Sequence, residues 1–155
     1  MPDINDYICN KCHFSLPQGW GGYLYVIDDN GKRIVCPHPD EGRTIRKILG
    51  KKATKQMILD RTGYNSDCVC LNCLHQFELD IGDDEGAEDN NERSVRYYYC
   101  KYSMFHSYGT DRRRDQRICS KCKSENVKTV IEMVDKTCPK CKTGIIEKKW
   151  TWRVS

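Results

Sequence analysis

Residues 119–144, CSKCKSENVKTVIEMVDKTCPKCKTG, decide how the rest of the chain is read. They hold two Cys-x-x-Cys pairs, Cys119/Cys122 and Cys138/Cys141, with fifteen residues between them. That is the spacing of a four-thiolate zinc site. Two thiolates three residues apart on a tight turn reach one metal at about 2.3 Å, and two such claws complete a tetrahedron. A closed tetrahedron leaves no position for a substrate, so the motif predicts a metal that holds structure rather than one that performs chemistry.

Working outward, two more pairs occur, Cys9/Cys12 and Cys70/Cys73. They look alike: Cys9-Asn-Lys-Cys12-His-Phe14 and Cys70-Leu-Asn-Cys73-Leu-His-Gln-Phe77 each carry an aromatic shortly after the second cysteine. One reading joins them in a second four-thiolate site with everything between inserted. The other is a local site of Cys9, Cys12, Cys36 and His38, which leaves Cys70 and Cys73 to find partners among Cys68, His75, Cys100 and His106. The first predicts two zinc ions and the second three.

The 155 residues, 38% hydrophobic and 31% charged, suffice for one ordinary domain or two small ones. Lobes this poor in apolar side chains bury too little surface to offset backbone entropy and are usually stapled by metal or disulfides. Among eleven cysteines the repeated two-residue spacing favours metal. The start, Met1-Pro-Asp-Ile-Asn, shows no basic segment followed by an apolar run, so reduced thiols and a cytoplasmic location are expected, with no membrane partner.

Net charge is +4, unevenly spread. Residues 78–92 carry eight acidic side chains and no Lys or Arg, whereas from 111 onward thirteen basic residues face six acidic ones. Low hydrophobicity and a single sign of charge mark 83–92 as a linker or loop. The expected division is therefore an N-terminal knuckle lobe over 1–82, the acidic linker, and a C-terminal lobe over 93–155.

Two β-prone runs flank Asp28-Asp-Asn-Gly31 and predict a hairpin over 23–35. Ile45, Ile48 and Leu49, then Met57, Ile58 and Leu59, recur at helical spacing and predict one or two short helices over 40–63, stopped by Gly63. A recognition helix does not follow them, which argues against a helix-turn-helix. Strands are expected over 77–81, 93–106, 127–134 and 144–154. The fold class is mainly β with a short helical insert, in two small zinc-stabilised lobes.

The C-terminal segment resembles the zinc-ribbon family, in which two knuckles flank a small antiparallel sheet. Cys138-Pro-Lys-Cys141-Lys-Thr-Gly144 has the C-P-x-C-x-x-G pattern also seen in rubredoxin-like proteins, where Pro stiffens the turn and Gly lets backbone N–H groups approach sulfur. The resemblance covers about forty residues. It implies a ribbon fold and four thiolates that would take zinc or, in a rubredoxin-type centre, iron. It says little about function, because ribbons serve in transcription, ribosomes, enzymes and adaptors alike.

No phosphate-binding loop, His-Glu-x-x-His or deaminase signature occurs. Cys36/His38, Cys68/His75 and Cys100/His106 are the spare pairs an enzyme would need, and none sits in a nucleophile motif. The reading that remains is a non-catalytic binding module contacting nucleic acid through Arg112, Arg113, Arg114, Lys148, Lys149, Trp150 and Trp152, where cations meet phosphates and indoles stack on bases. Its rival is an adaptor subunit docking on a larger protein complex. Trp150 and Trp152 share strand parity, so they either cover the ribbon core together or meet a ligand together. Tyr97, Tyr98, Tyr99 and Tyr102 read as sheet formers.

Overall fold

Eight strands and three short helices make up the described residues, 3–38, 40–81 and 114–153, of a computed structural model. The acidic run 83–92, the expected strand 93–106 with its tyrosines, Cys100, His106, Arg112 and Arg113 lie outside them. The molecule is mainly β, in two sheets.

The first sheet has the order β2-β1-β8 (β1 Asp3–Cys9, β2 Ser15–Gly19, β8 Ile146–Arg153). All its pairings are antiparallel, and Cys9 stands opposite Ile146 while Tyr7 stands opposite Lys148. The two ends of the sequence are thus neighbouring strands. The second sheet is built on β5 (Thr62–Cys70), every residue of which is buried. One edge of β5 pairs first with β3 (Gly22–Ile27) and then with β7 (Val127–Thr129), while the other pairs with β6 (Gln76–Leu79). The strand β4 (Arg33–Val35) completes the sheet beyond β3. Both sheets therefore combine strands from before and after the acidic run, and their pairings cross the division expected between 1–82 and 93–155.

The predicted hairpin is β3–β4, with Val26 opposite Ile34. Asp28 organises its turn by accepting the N–H groups of Asn30 and Lys32, both at 2.9 Å, while Gly31 takes the left-handed conformation (φ 81°) that favours glycine. The helical insert is α1 (Glu41–Leu49) and α2 (Lys55–Arg61). Ile45 and Ile58 pack with Val26 and Cys36 to form a small core over the hairpin. Thr54 caps α2 by accepting the Met57 N–H at 3.2 Å.

Gly63 does not stop α2 in the way its sequence position suggests. The helix ends at Arg61, and Gly63 lies inside β5, where a side chain would collide with Tyr25, Arg114 and Asp80. The expected strand 127–134 is also cut short. Only Val127–Thr129 is extended, and Val130–Met133 forms the helical turn α3, closed by a capping box in which Thr129 and Glu132 bond each other's backbone N–H at 3.1 Å. The signature Thr-x-x-Glu is visible in the sequence, but the apolar run of α3 hides it. Val130, Ile131 and Met133 are buried with Tyr7, Leu16, Val69 and Ile146 in the core that joins the two sheets.

Candidate metal centres

The four Cys-x-x-Cys turns are built to one plan. In each, the N–H four residues along returns to the first cysteine: His13, Leu74, Lys123 and Lys142 donate to the carbonyls of Cys9, Cys70, Cys119 and Cys138 at 2.9–3.2 Å. Those same four residues hold left-handed φ values of 61°, 64°, 63° and 65°. Such a turn points both thiol groups the same way and aims backbone N–H groups at sulfur. Cys9 Sγ accepts from Lys11 and Cys12 at 3.4 and 3.5 Å, and Cys119 Sγ accepts from Lys121 and Cys122 at the same distances.

Strand pairing then brings the turns together. Pairing of β1 with β8 sets Cys9 and Cys12 against Cys138 and Cys141, with Sγ···Sγ distances of 3.7 Å for Cys9–Cys141 and for Cys12–Cys138. Pairing of β5 with β7 sets Cys70 and Cys73 against Cys119 and Cys122, at 3.5 Å for Cys70–Cys122 and 3.6 Å for Cys73–Cys119. A tetrahedron with metal–sulfur bonds near 2.3 Å has edges of about 3.8 Å, whereas a disulfide brings the sulfurs to about 2.05 Å. The geometry fits two four-thiolate metal centres and no disulfide.

The grouping corrects the one read from spacing. Cys119/Cys122 and Cys138/Cys141 do not share a site, nor do Cys9/Cys12 and Cys70/Cys73; each turn from the first half of the chain joins one from the second. The reason lies between the last two turns. For those turns to meet, 123–137 would have to fold back as a local hairpin. Instead the Thr129 cap converts it to helix after three extended residues, and β7 and β8 are delivered to different sheets. Cys36 and His38 join neither group: the Cys36 thiol is buried and faces the Ile34 carbonyl, and His38 Nδ1 lies 2.8 Å from Glu41 Oε1.

Within each centre the thiols divide: Cys9, Cys141 and Cys119 are held below the usual thiol range, whereas Cys138 and Cys122 are pushed above it. Hydrogen bonds from the backbone N–H groups of Thr143 and Gly144 hold Cys141 down to about 5. For Cys119 burial pushes upward, but the N–H groups of Cys122 and Lys121 and the neighbouring thiols outweigh it and bring the value to about 6. Gly144 serves the first centre by its lack of a side chain: its N–H meets Cys141 Sγ at 3.2 Å, and a Cβ there would collide with Cys9 Sγ across the interface. Close approach, rather than an unusual φ, is what this glycine supplies.

Among the remaining candidates, Arg114 is a correction. It turns inward and donates to Tyr25 (2.9 Å), to the carbonyls of Thr62 (2.6 Å) and Asp60 (2.7 Å), and to Asp80 at 3.4 Å. The Tyr25 hydroxyl in turn donates to Asp80, and Arg33 grips Asp115 through two bonds of 2.7 and 2.8 Å. Sequence alone placed Arg114 with its neighbours in a basic tract; the buried Asp80 that captures it is distant in the chain. Lys148, Lys149 and Trp150 are exposed on β8, and Trp150 is 60% exposed. The β1–β8 register shifts between Ile4 and Asn5, which stand opposite Trp152 and Trp150.

No protein-family model, curated protein or solved structure matches the chain.

Proposed function

We propose that this chain is a non-catalytic module held together by two zinc ions, and that it contacts nucleic acid through β8 and the lysines of its knuckles. Closed four-thiolate centres support a structural role for the metal, because all four tetrahedral positions are taken by protein. The observation that carries the nucleic-acid reading is Trp150, a large indole left 60% exposed directly after Lys148 and Lys149. A core tryptophan would be covered; an indole beside two cations offers a stacking surface and phosphate contacts together. Lys11, Lys121, Lys123, Lys140 and Lys142 are exposed on the knuckles and add to the positive field.

Fluorescence anisotropy of zinc-loaded protein against single-stranded RNA, single-stranded DNA and duplex DNA, at about 50 and about 200 mM salt, tests this reading. A preference among the three, weakened roughly 5- to 100-fold by Trp150→Ala, is expected. Weak binding to all three alike, unaffected by that change, would overturn it. The adaptor reading has one observation of its own: β8 lies at the edge of its sheet among the described residues, where a partner strand could add. A stable protein partner lost on substituting proline for Lys149 would favour it.

A further inference from the structure

A cleft of about 230 Å³ between the β3–β4 hairpin and α1 belongs to neither metal centre. Its walls include Trp20, Tyr23 and Tyr64, with Val35, His38 and Glu41. Glu41 is only 8% exposed, yet just one of its oxygens is engaged: Oε1 meets His38 Nδ1 at 2.8 Å, and Oε2 has no hydrogen-bond partner among the described residues. A buried carboxylate has room for about four hydrogen bonds, and one idle oxygen in an otherwise apolar wall calls for a donor.

The surroundings define that donor. Among the described residues neither Lys nor Arg lines the cleft. Burial raises the pKa of the Tyr23 hydroxyl, and Glu78 and Asp67, which stand opposite each other in the β5–β6 pairing, raise it further, so more carboxyl groups lie near the aromatic wall. Aromatic faces carry negative quadrupole potential and attract cations, more strongly where water is excluded. The volume falls below the roughly 300 Å³ at which pockets begin to enclose drug-sized molecules, which suits a single side-chain-sized group.

We propose that this cleft binds an organic cation bearing N–H donors on an apolar stem, an alkylammonium or alkylguanidinium group. The nitrogen donates to Glu41 Oε2, and the stem lies against Trp20, Tyr23 and Tyr64. The group can belong to a free amine or to a basic side chain of another polypeptide, since both present the same chemistry.

The test follows the Trp20 indole N–H resonance of the zinc-loaded protein during titration with butylguanidinium, butylammonium, neutral butylurea and the peptide Gly-Gly-Arg-Gly-Gly. The two cations are expected to shift it saturably, with butylurea about tenfold weaker or more. Glu41→Gln should weaken the cations by a similar factor of about ten. Because loss of the His38 contact could disturb α1, the exposed rim residue Val35 provides a second handle: Val35→Lys should weaken the cations about fivefold and Val35→Glu strengthen them, leaving butylurea unchanged. A peptide shift matching butylguanidinium supports a polypeptide source, and a shift by the free cations alone supports a small amine. Butylurea binding as tightly as butylguanidinium, no shift by either cation at about 50 mM, or indifference to both Val35 changes would overturn the proposal.

Discussion

Paired cysteine substitutions discriminate sharply between the two ways of sharing eight thiolates. Cys12 and Cys122 are the exposed ligands and Cys73 and Cys141 are half-buried, so serine at these positions disturbs packing least. Structural zinc in small domains contributes about 10–16 kcal/mol, or roughly 2.5–4 kcal/mol for each of four thiolates. Loss of one thiolate therefore weakens its centre by about two to three orders of magnitude. A chelator can be chosen that leaves the parent loaded but strips a three-thiolate centre, and zinc per chain is then counted by elemental analysis. Cys12→Ser with Cys141→Ser should leave one zinc, because both changes fall on the centre whose sulfurs lie 3.7 Å apart across β1 and β8. Cys12→Ser with Cys73→Ser should leave none, because each change breaks a different centre. The opposite pair of counts would refute the argument from strand pairing and restore the grouping by sequence spacing.

Arg114→Met should cost about 3–5 kcal/mol in urea unfolding, since it strands Asp80, 1% exposed, without its cation. Gly144→Ala should lose tetrahedral cobalt(II) absorption from one centre and keep it at the other, because the added methyl meets Cys9 Sγ. Asp67 is buried opposite Glu78, and burial first, then that carboxylate, pushes its pKa up to about 7. The folded state thus holds a proton that the unfolded chain has released between about pH 4 and 7, so this group's contribution to stability falls as pH rises through that window. Asp67→Asn should raise stability at pH 8 by at most about 4 kcal/mol and reduce the difference between pH 5.5 and 8, as followed by thermal unfolding.

The knuckles are legible in the sequence because each one's geometry is a local property of five or six residues. His13, Leu74, Lys123 and Lys142 need only their own turn to reach left-handed φ, and the Cys-x-x-Cys spacing announces it. The β3–β4 hairpin and the two helices of the insert are legible for the same reason: turn chemistry at Asp28–Gly31 and helical spacing of apolar residues act over short distances. Errors arose where a residue's partner was distant. Gly63 reads as a helix stop until Tyr25, Asp80 and Arg114 occupy the space it leaves, and Arg114 reads as a surface cation until Asp80 captures it.

By itself, then, the sequence determined that the chain is mainly β and that eight cysteines form four metal-binding claws. It could not determine which claws meet. Four equivalent claws allow three pairings, and each would satisfy the same thiolate chemistry equally well. Only the tertiary structure decided among them, because strand pairing depends on apolar faces hundreds of ångströms apart in an extended chain and on a cap at Thr129 that sends β7 and β8 to separate sheets.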